Sequence, residues 1–316
     1  MGLKMNHYLI AAGLSTLAIA AIVGTTFAGV TTPPAPIAAE KPAAGIGEET
    51  WPMPVEDFLA GDYLERSDVV LTRRDWDLTS WAIRWATDSP FSHAALVFTG
   101  PQFESGYSNT FVIEAATSGV DLTNLRDYIA DKSSFLAIKR FRKGWFDEPK
   151  QSRVRGLLLD KIKADYNFWA IGHIARNIWF GVERSMRGDK EAIRTFRERD
   201  WTPPNEYICS GLVQIGFVET VLEYIKSEQL PPSALREVVF HSTAATRLPD
   251  KDDWQYLDDE SSKTTAVLFR NQNFDALESV TPEDLASSEK LNWLYMIKNG
   301  LVYKADSYDD VRKLIE

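Results

Sequence analysis

The stretch that most restricts the fold runs from Cys209 to Ile225. Its Leu212, Val213, Gly216, Phe217, Val218, Val221 and Leu222 cover more than one face of a helix. A surface helix carries a single apolar stripe, so this one has to be covered on most sides by other elements. The material to cover it lies earlier in the chain. Residues 68–72, 93–99, 111–115 and 135–141 are short runs rich in Val, Ile, Leu, Ala and Phe, bounded by turn residues, and read as strands. Between the first two, Leu78, Trp81, Ala82, Trp85 and Ala86 fall at i, i+3, i+4, i+7 and i+8 behind Asp77 as cap. That spacing predicts an amphipathic helix, broken by Asp88-Ser-Pro90. A short helix is expected around residues 122–130, and a largely helical, aromatic-rich block over 154–187 ending before Thr202-Pro203-Pro204-Asn205. The last ninety residues are mixed, and no internal repeat is visible. The class that follows is α+β, with one central antiparallel sheet packed against helices.

This domain is expected to begin near Trp51 and run over residues 51–316. Ahead of it, Lys4 and His7 precede a nearly unbroken apolar run over residues 8–30. About 20 such residues suffice to span a bilayer, while the Ala, Ile, Leu and Gly composition is that of a secretory signal. Residues 1–30 therefore read as a signal peptide or membrane anchor, and both stay open: Thr26-Phe27-Ala28 is an imperfect cleavage site, and no cysteine is there to take a lipid. Residues 31–50 hold Pro33, Pro34, Pro36 and Pro42 among alanines and glycines, a linker rather than core. The expectation is export to the periplasm or cell envelope, with contact to the membrane through the first segment if it is uncleaved.

Composition narrows the function. A net charge of −10 repels polyanions. The basic run at residues 139–143 is short and reads as a solvated strand end, so no nucleic-acid partner is expected. A single cysteine excludes an internal disulfide and any thiolate metal cluster. In an exported chain a lone thiol is buried or used.

Cys209 is placed to be used. It opens the buried helix just after a Pro-Pro-Asn turn, where unpaired N–H groups and the positive end of the helix dipole favour a thiolate. The same N–H groups suit a developing oxyanion. The alternative is a small core thiol. His93 opens a strand after a Ser-Pro-Phe-Ser turn, at the sheet's rim, and histidine is the usual acceptor of a thiol proton near neutral pH. Glu114 lies in an apolar strand where an unpaired carboxylate is expensive. If its strand lies beside that of His93, it can accept from the imidazole and fix the ring; otherwise it is an edge-strand glutamate in water. His173, in an aromatic helical stretch, reads as a core or hydrogen-bonded histidine, and His241, after Val-Val-Phe, as the end of a strand. A metal set of His93, Glu114 and His173 has no recognisable spacing, and no metal or cofactor is expected.

In their order these pieces resemble a known family. An Asp-Val-Val-Leu strand, an Ala-Thr-x-Ser-x-x-Ser-His segment at residues 86–93, a Val-Ile-Glu-Ala strand, a Tyr-Asn-Phe segment at Tyr166, an Ile-Cys-Ser helix start and Thr281-Pro-Glu-Asp-Leu-Ala286 look like the YaeF/YiiX-type circularly permuted NlpC-like, papain-fold hydrolases. The likeness spans roughly residues 60–290. It implies a permuted papain-like fold, with Cys209 as nucleophile, His93 as base and Glu114 as the orienting residue. Two positions depart from the pattern: Ser67 stands where the first strand usually opens with glycine, and Gly211 where glutamate often follows Cys-Ser.

The function expected is an exported cysteine hydrolase cleaving, or transferring across, an amide or ester acyl bond, on peptidoglycan peptides or lipid acyl groups. Tyr166 and Tyr207 are candidates for a supporting hydroxyl at the substrate. The tryptophans of the helix before His93 are accounted for most simply as packed core. The alternative is an envelope binding module on the same fold, catalytically inactive.

Overall fold

The computed structural model describes residues 50–73, 80–81, 83–84, 89–100, 109–116, 118–130, 135–162, 164–166, 206–240, 277 and 280–315. The expectations for residues 1–49, for Asp77, Leu78, Ala82 and residues 85–88 of the amphipathic helix, for His173 and His241, and for residues 202–205 lie outside these.

Among the described residues, eight strands form one antiparallel sheet: β1 (Met53–Pro54), β2 (Val69–Arg73), β3 (His93–Thr99), β4 (Phe111–Ala116), β5 (Gly119–Asn124), β6 (Phe135–Phe141), β9 (Leu291–Lys298) and β10 (Leu301–Lys304). Their order across the sheet is β1-β10-β9-β6-β2-β3-β4-β5. A separate parallel pair joins β7 (Asp165–Tyr166) to β8 (Glu206–Tyr207). The helices are α1 (Val55–Ala60), α2 (Leu125–Ile129), α3 (Glu148–Leu159), α4 (Cys209–Lys226), α5 (Ala234–Glu237), α6 (Pro282–Ser287) and α7 (Tyr308–Ile315).

Both faces of the sheet are covered, which is why its central strands read as unbroken apolar runs rather than as alternating ones. Val69, Leu71, Leu96 and Phe135 belong to one core with Leu212, Phe217 and Val221 of α4. Val70, Ala95, Leu136 and Ile138 belong to the other, with Phe58 of α1 and Leu125 and Tyr128 of α2. The apolar helix is thus enclosed as its sequence demands. It meets α3 at Gly216, where an added Cβ would stand 3.1 Å from side-chain carbons of Val154 and Leu158. Each large apolar side chain that α4 buries contributes about 1.5–3 kcal/mol.

Three expectations are corrected. The helix read around residues 122–130 begins only at Leu125, because residues 119–124 form β5, paired along the whole of β4. The signal is a Ser-Gly turn ahead of an alternating Val-Asp-Leu-Thr run, and Gly119 takes a φ of 99° that a side chain would resist. Of the helical block expected over 154–187, the described part is α3, which starts at Glu148, capped by the Asp147 side chain, and ends at Leu159, with β7 following at Asp165; residues 167–187 lie outside the described ones. The basic run is not solvated where it begins: Lys139 and Arg140 are buried. The Lys139 ammonium donates to the carbonyls of Leu285, Ala286 and Ser288 at 2.9, 2.5 and 2.9 Å, closing the C-terminal end of α6. The Arg140 guanidinium grips Asp68 through Nε–Oδ1 and Nη2–Oδ2 bonds of 2.6 and 2.7 Å and also bonds Glu65. That network fixes the entry to β2. Ser67, just before it, has a φ of 65°, the left-handed conformation for which glycine is the ordinary choice.

Candidate active site

α4 begins at Cys209 because the chain is extended through Glu206, Tyr207 and Ile208 and turns helical only there. Ile208, as N-cap, has no side-chain hydrogen bond to offer the N–H groups of the first turn. Cys209 itself is only 4 % exposed.

His93 is delivered by a turn whose residues each have an anchor. The Ser89 hydroxyl accepts from the Phe91 N–H at 3.0 Å. Phe91 is fully buried, stacked on Trp293 and edge-on to Phe135. The Ser92 N–H donates to the Thr72 carbonyl at 2.9 Å, and its hydroxyl accepts from Ser80 at 2.6 Å. His93 then opens β3 opposite Thr72, with 19 % of its side chain exposed. Approach to the site is therefore past the imidazole rather than over the sulfur.

Glu114 lies on β4 opposite Ala95, so its side chain shares the face of the sheet that His93 and Ala95 use. It is 5 % exposed, on a strand enclosed by β3 and β5. The solvated edge glutamate is thereby ruled out. Its Oε2 accepts from His93 Nε2 at 2.5 Å. The Tyr128 hydroxyl donates to the same oxygen, and the Thr123 hydroxyl donates to Oε1. Tyr128 also lays its ring along the imidazole, centroids 6.1 Å apart and planes 20° from parallel. Sequence reasoning missed both Thr123 and Tyr128, since the helix expected around residues 122–130 takes in the end of β5 and hides the register that brings Thr123 to Glu114.

On its other side the imidazole faces the Cys209 sulfur closely enough for each to shift the other's ionisation. With Nε2 committed to Glu114, Nδ1 is the nitrogen left to face the sulfur. The backbone N–H groups of Ala94 and Ser210 also lie by the sulfur and favour its thiolate. Ser210 supplies a helix-start N–H, and Ala94 lies one residue ahead of Ala95, where the β3–β4 pairing begins.

These contacts fix the charge state. Burial pushes the Cys209 thiol up, but the facing imidazolium, its hydrogen bond and the two N–H donors bring it below the usual thiol range. Burial likewise pushes His93 down, and the Cys209 thiolate and Glu114 carboxylate reverse that, holding the imidazolium to about 10. Burial would raise Glu114, yet its bonds from His93, Thr123 and Tyr128 lower it to about 2. The outcome is a thiolate–imidazolium–carboxylate row at neutral pH. Such a row has the chemistry to attack an acyl carbon, return a proton to a leaving group and later activate water.

Residues 63–175 match the permuted papain-like amidase enzyme, YaeF/YiiX, C92 family. The fold is permuted papain-like α+β, and the matched family is one of amidases, which supports a cysteine hydrolase. The matched residues contain His93 and Glu114, whereas Cys209 lies beyond them and is brought in by α4. No curated protein matches the chain.

Of the two tyrosines singled out in the sequence, Tyr166 and Tyr207 are register partners in the β7–β8 pair, two residues from Cys209 along the chain in the second case. Their side chains are not among those described. Trp81 is 57 % exposed, so packed core does not account for it.

Proposed function

We propose that the chain is a cysteine hydrolase that cleaves, or transfers across, an amide or ester acyl bond in the cell envelope, with Cys209 as nucleophile, His93 as proton carrier and Glu114 as the group that holds the ring. The observation that carries this is one imidazole hydrogen-bonded to a buried carboxylate through Nε2 and set against the Cys209 sulfur on its other side.

In this reading the Cys209 thiolate adds to the acyl carbon. The oxygen's charge is received at the start of α4, where the N-cap residue Ile208 makes no side-chain bond to the first-turn N–H groups. The His93 imidazolium gives its proton to the departing amine or alcohol, which leaves a thioester on Sγ. Neutral His93 then takes a proton from water, or from another acceptor, as it attacks the thioester, and Cys209 is released as the thiolate. Glu114 stays ionised throughout, its oxygens filled by three donors.

Export rests on the apolar run at residues 8–30 and places the two substrate classes, wall peptides and lipid acyl groups, within reach. The test is incubation of the full chain with muropeptides and, separately, with phospholipid vesicles, followed by mass spectrometry of the products. New amine or fatty-acid ends are expected from one of the two, and they should vanish in Cys209→Ala and in His93→Ala. Product formation that survives Cys209→Ala would refute the assignment, and intact substrates in both incubations would refute the envelope substrates.

A further inference from the structure

One motif has no part in the chemistry above: Thr281-Pro-Glu-Asp-Leu-Ala286, which forms the start and body of α6. Its ends are unusually well secured for a helix of six residues. Thr281 and Asp284 make a reciprocal capping box, with Asp284 fully buried, and Lys139 closes the far end.

What α6 touches is more telling. The Ser210 hydroxyl, one residue after the nucleophile, donates to the Val280 carbonyl at 2.5 Å. Glu283 lies by the Ser89 hydroxyl, which holds its carboxyl down against burial and in turn receives the Phe91 N–H two residues before His93. The Tyr308 hydroxyl holds Glu283 from the other side at 2.6 Å. A ring stack runs alongside: Phe91 on Trp293 and Trp293 on Tyr308, centroids 6.1 and 5.3 Å apart. One short segment, about 70 residues beyond Cys209 and about 190 beyond His93, is thus bonded beside the first and packed, through Tyr308 and Trp293, against the turn that delivers the second.

We propose that residues 280–288 act as a clasp that sets the spacing of Cys209 and His93, with Glu283, Ser89 and Ser210 as its positioning residues. The proposal rests on the thiolate–imidazolium reading of the site. None of the three side chains meets substrate. They act by keeping the His93 turn and the start of α4 at the separation at which sulfur and imidazole share a proton. A bond of that kind is steep in distance, so small slackening in the clasp shows first in the ionisation of the pair.

The experiment is the pH dependence of Cys209 alkylation by iodoacetamide in the full chain, read by peptide mass spectrometry, with thermal melting alongside. Ser89→Ala and Glu283→Gln are expected to raise the midpoint by about one pH unit, and to slow alkylation below it about tenfold. Ser89→Thr, which keeps the hydroxyl, should restore the wild-type midpoint. Folded Ser89→Ala and Glu283→Gln proteins that melt lower but alkylate with the wild-type midpoint would overturn the clasp, since a purely structural role moves only the melt. Should Glu283→Gln fail to fold, Ser89→Ala decides, because it removes a single hydroxyl. A wild-type midpoint at the ordinary thiol value, or one unaffected by His93→Ala, would refute the dyad itself, and the clasp with it.

Discussion

Replacing Glu114 by glutamine tests how much of the site's charge the carboxylate maintains. The carboxyl is held to about 2 rather than 4.5, a difference worth about 3 kcal/mol. Three donors share it, His93 foremost. If His93 accounts for about half, roughly 1.5 kcal/mol, then removing the negative charge lowers the imidazolium midpoint by about one unit, from about 10 toward about 9. The sign is fixed, because a cation that loses an anionic neighbour gives up its proton more readily. The assay compares alkylation of Cys209 by iodoacetate with that by iodoacetamide across alkaline pH. Both report the thiolate, but only the anionic reagent is drawn by the imidazolium, so their ratio falls where His93 loses its proton. At pH 9.5 the protonated fraction should drop roughly threefold in Glu114→Gln. Stability gives an independent check. Glu114's contribution is complete above its unfolded value near 4.5 and is lost as pH falls through about 2. The wild type should therefore exceed the variant by up to about 3 kcal/mol at neutral pH, with the gap closing in strong acid. A folded Glu114→Gln protein whose reagent ratio falls at the wild-type pH would refute the reasoning.

Ser67→Gly should stabilise the chain by about 1 kcal/mol in urea unfolding, by relieving the left-handed backbone at φ 65°; a loss of stability would show that the serine side chain matters more than its backbone. Asp68→Ala strips the buried Arg140 of its two-bond partner and should cost about 3–5 kcal/mol in the same measurement. Gly216→Val drives carbon into Val154 and Leu158, already 3.1 Å from where a Cβ would stand, and should lower stability by about 1–3 kcal/mol. A neutral result there would mean that α3 and α4 separate easily.

The strands carrying the chemistry were legible because each is an apolar run with hard boundaries. The segments read at residues 93–99 and 135–141 coincide with β3 and β6, and the helix read from Cys209 is α4. Cys209 and His93 stood out by position, one opening a helix and the other a strand. Glu114 was legible only as a choice between two environments, because which strands lie side by side is not written in the local pattern. The same limit hid the partners of Glu114: Thr123 is an unremarkable residue until β5 folds back on β4, and Tyr128 reaches the carboxylate only through that pairing. Lys139 and Arg140 misled for a related reason. A basic run reads as solvated, yet here the cations are buried because a helix end and a buried aspartate await them, the latter 72 residues away in the chain.

The central claim is that the Cys209 sulfur, deprotonated by His93, becomes acylated. It is tested most directly by mixing the full chain with a p-nitrophenyl ester at neutral pH and weighing the tryptic peptides after acid quench. The account predicts acyl mass on the Cys209 peptide in the wild type, and none there in His93→Ala. Acyl groups found elsewhere, or on Cys209 at the same rate without His93, would contradict it.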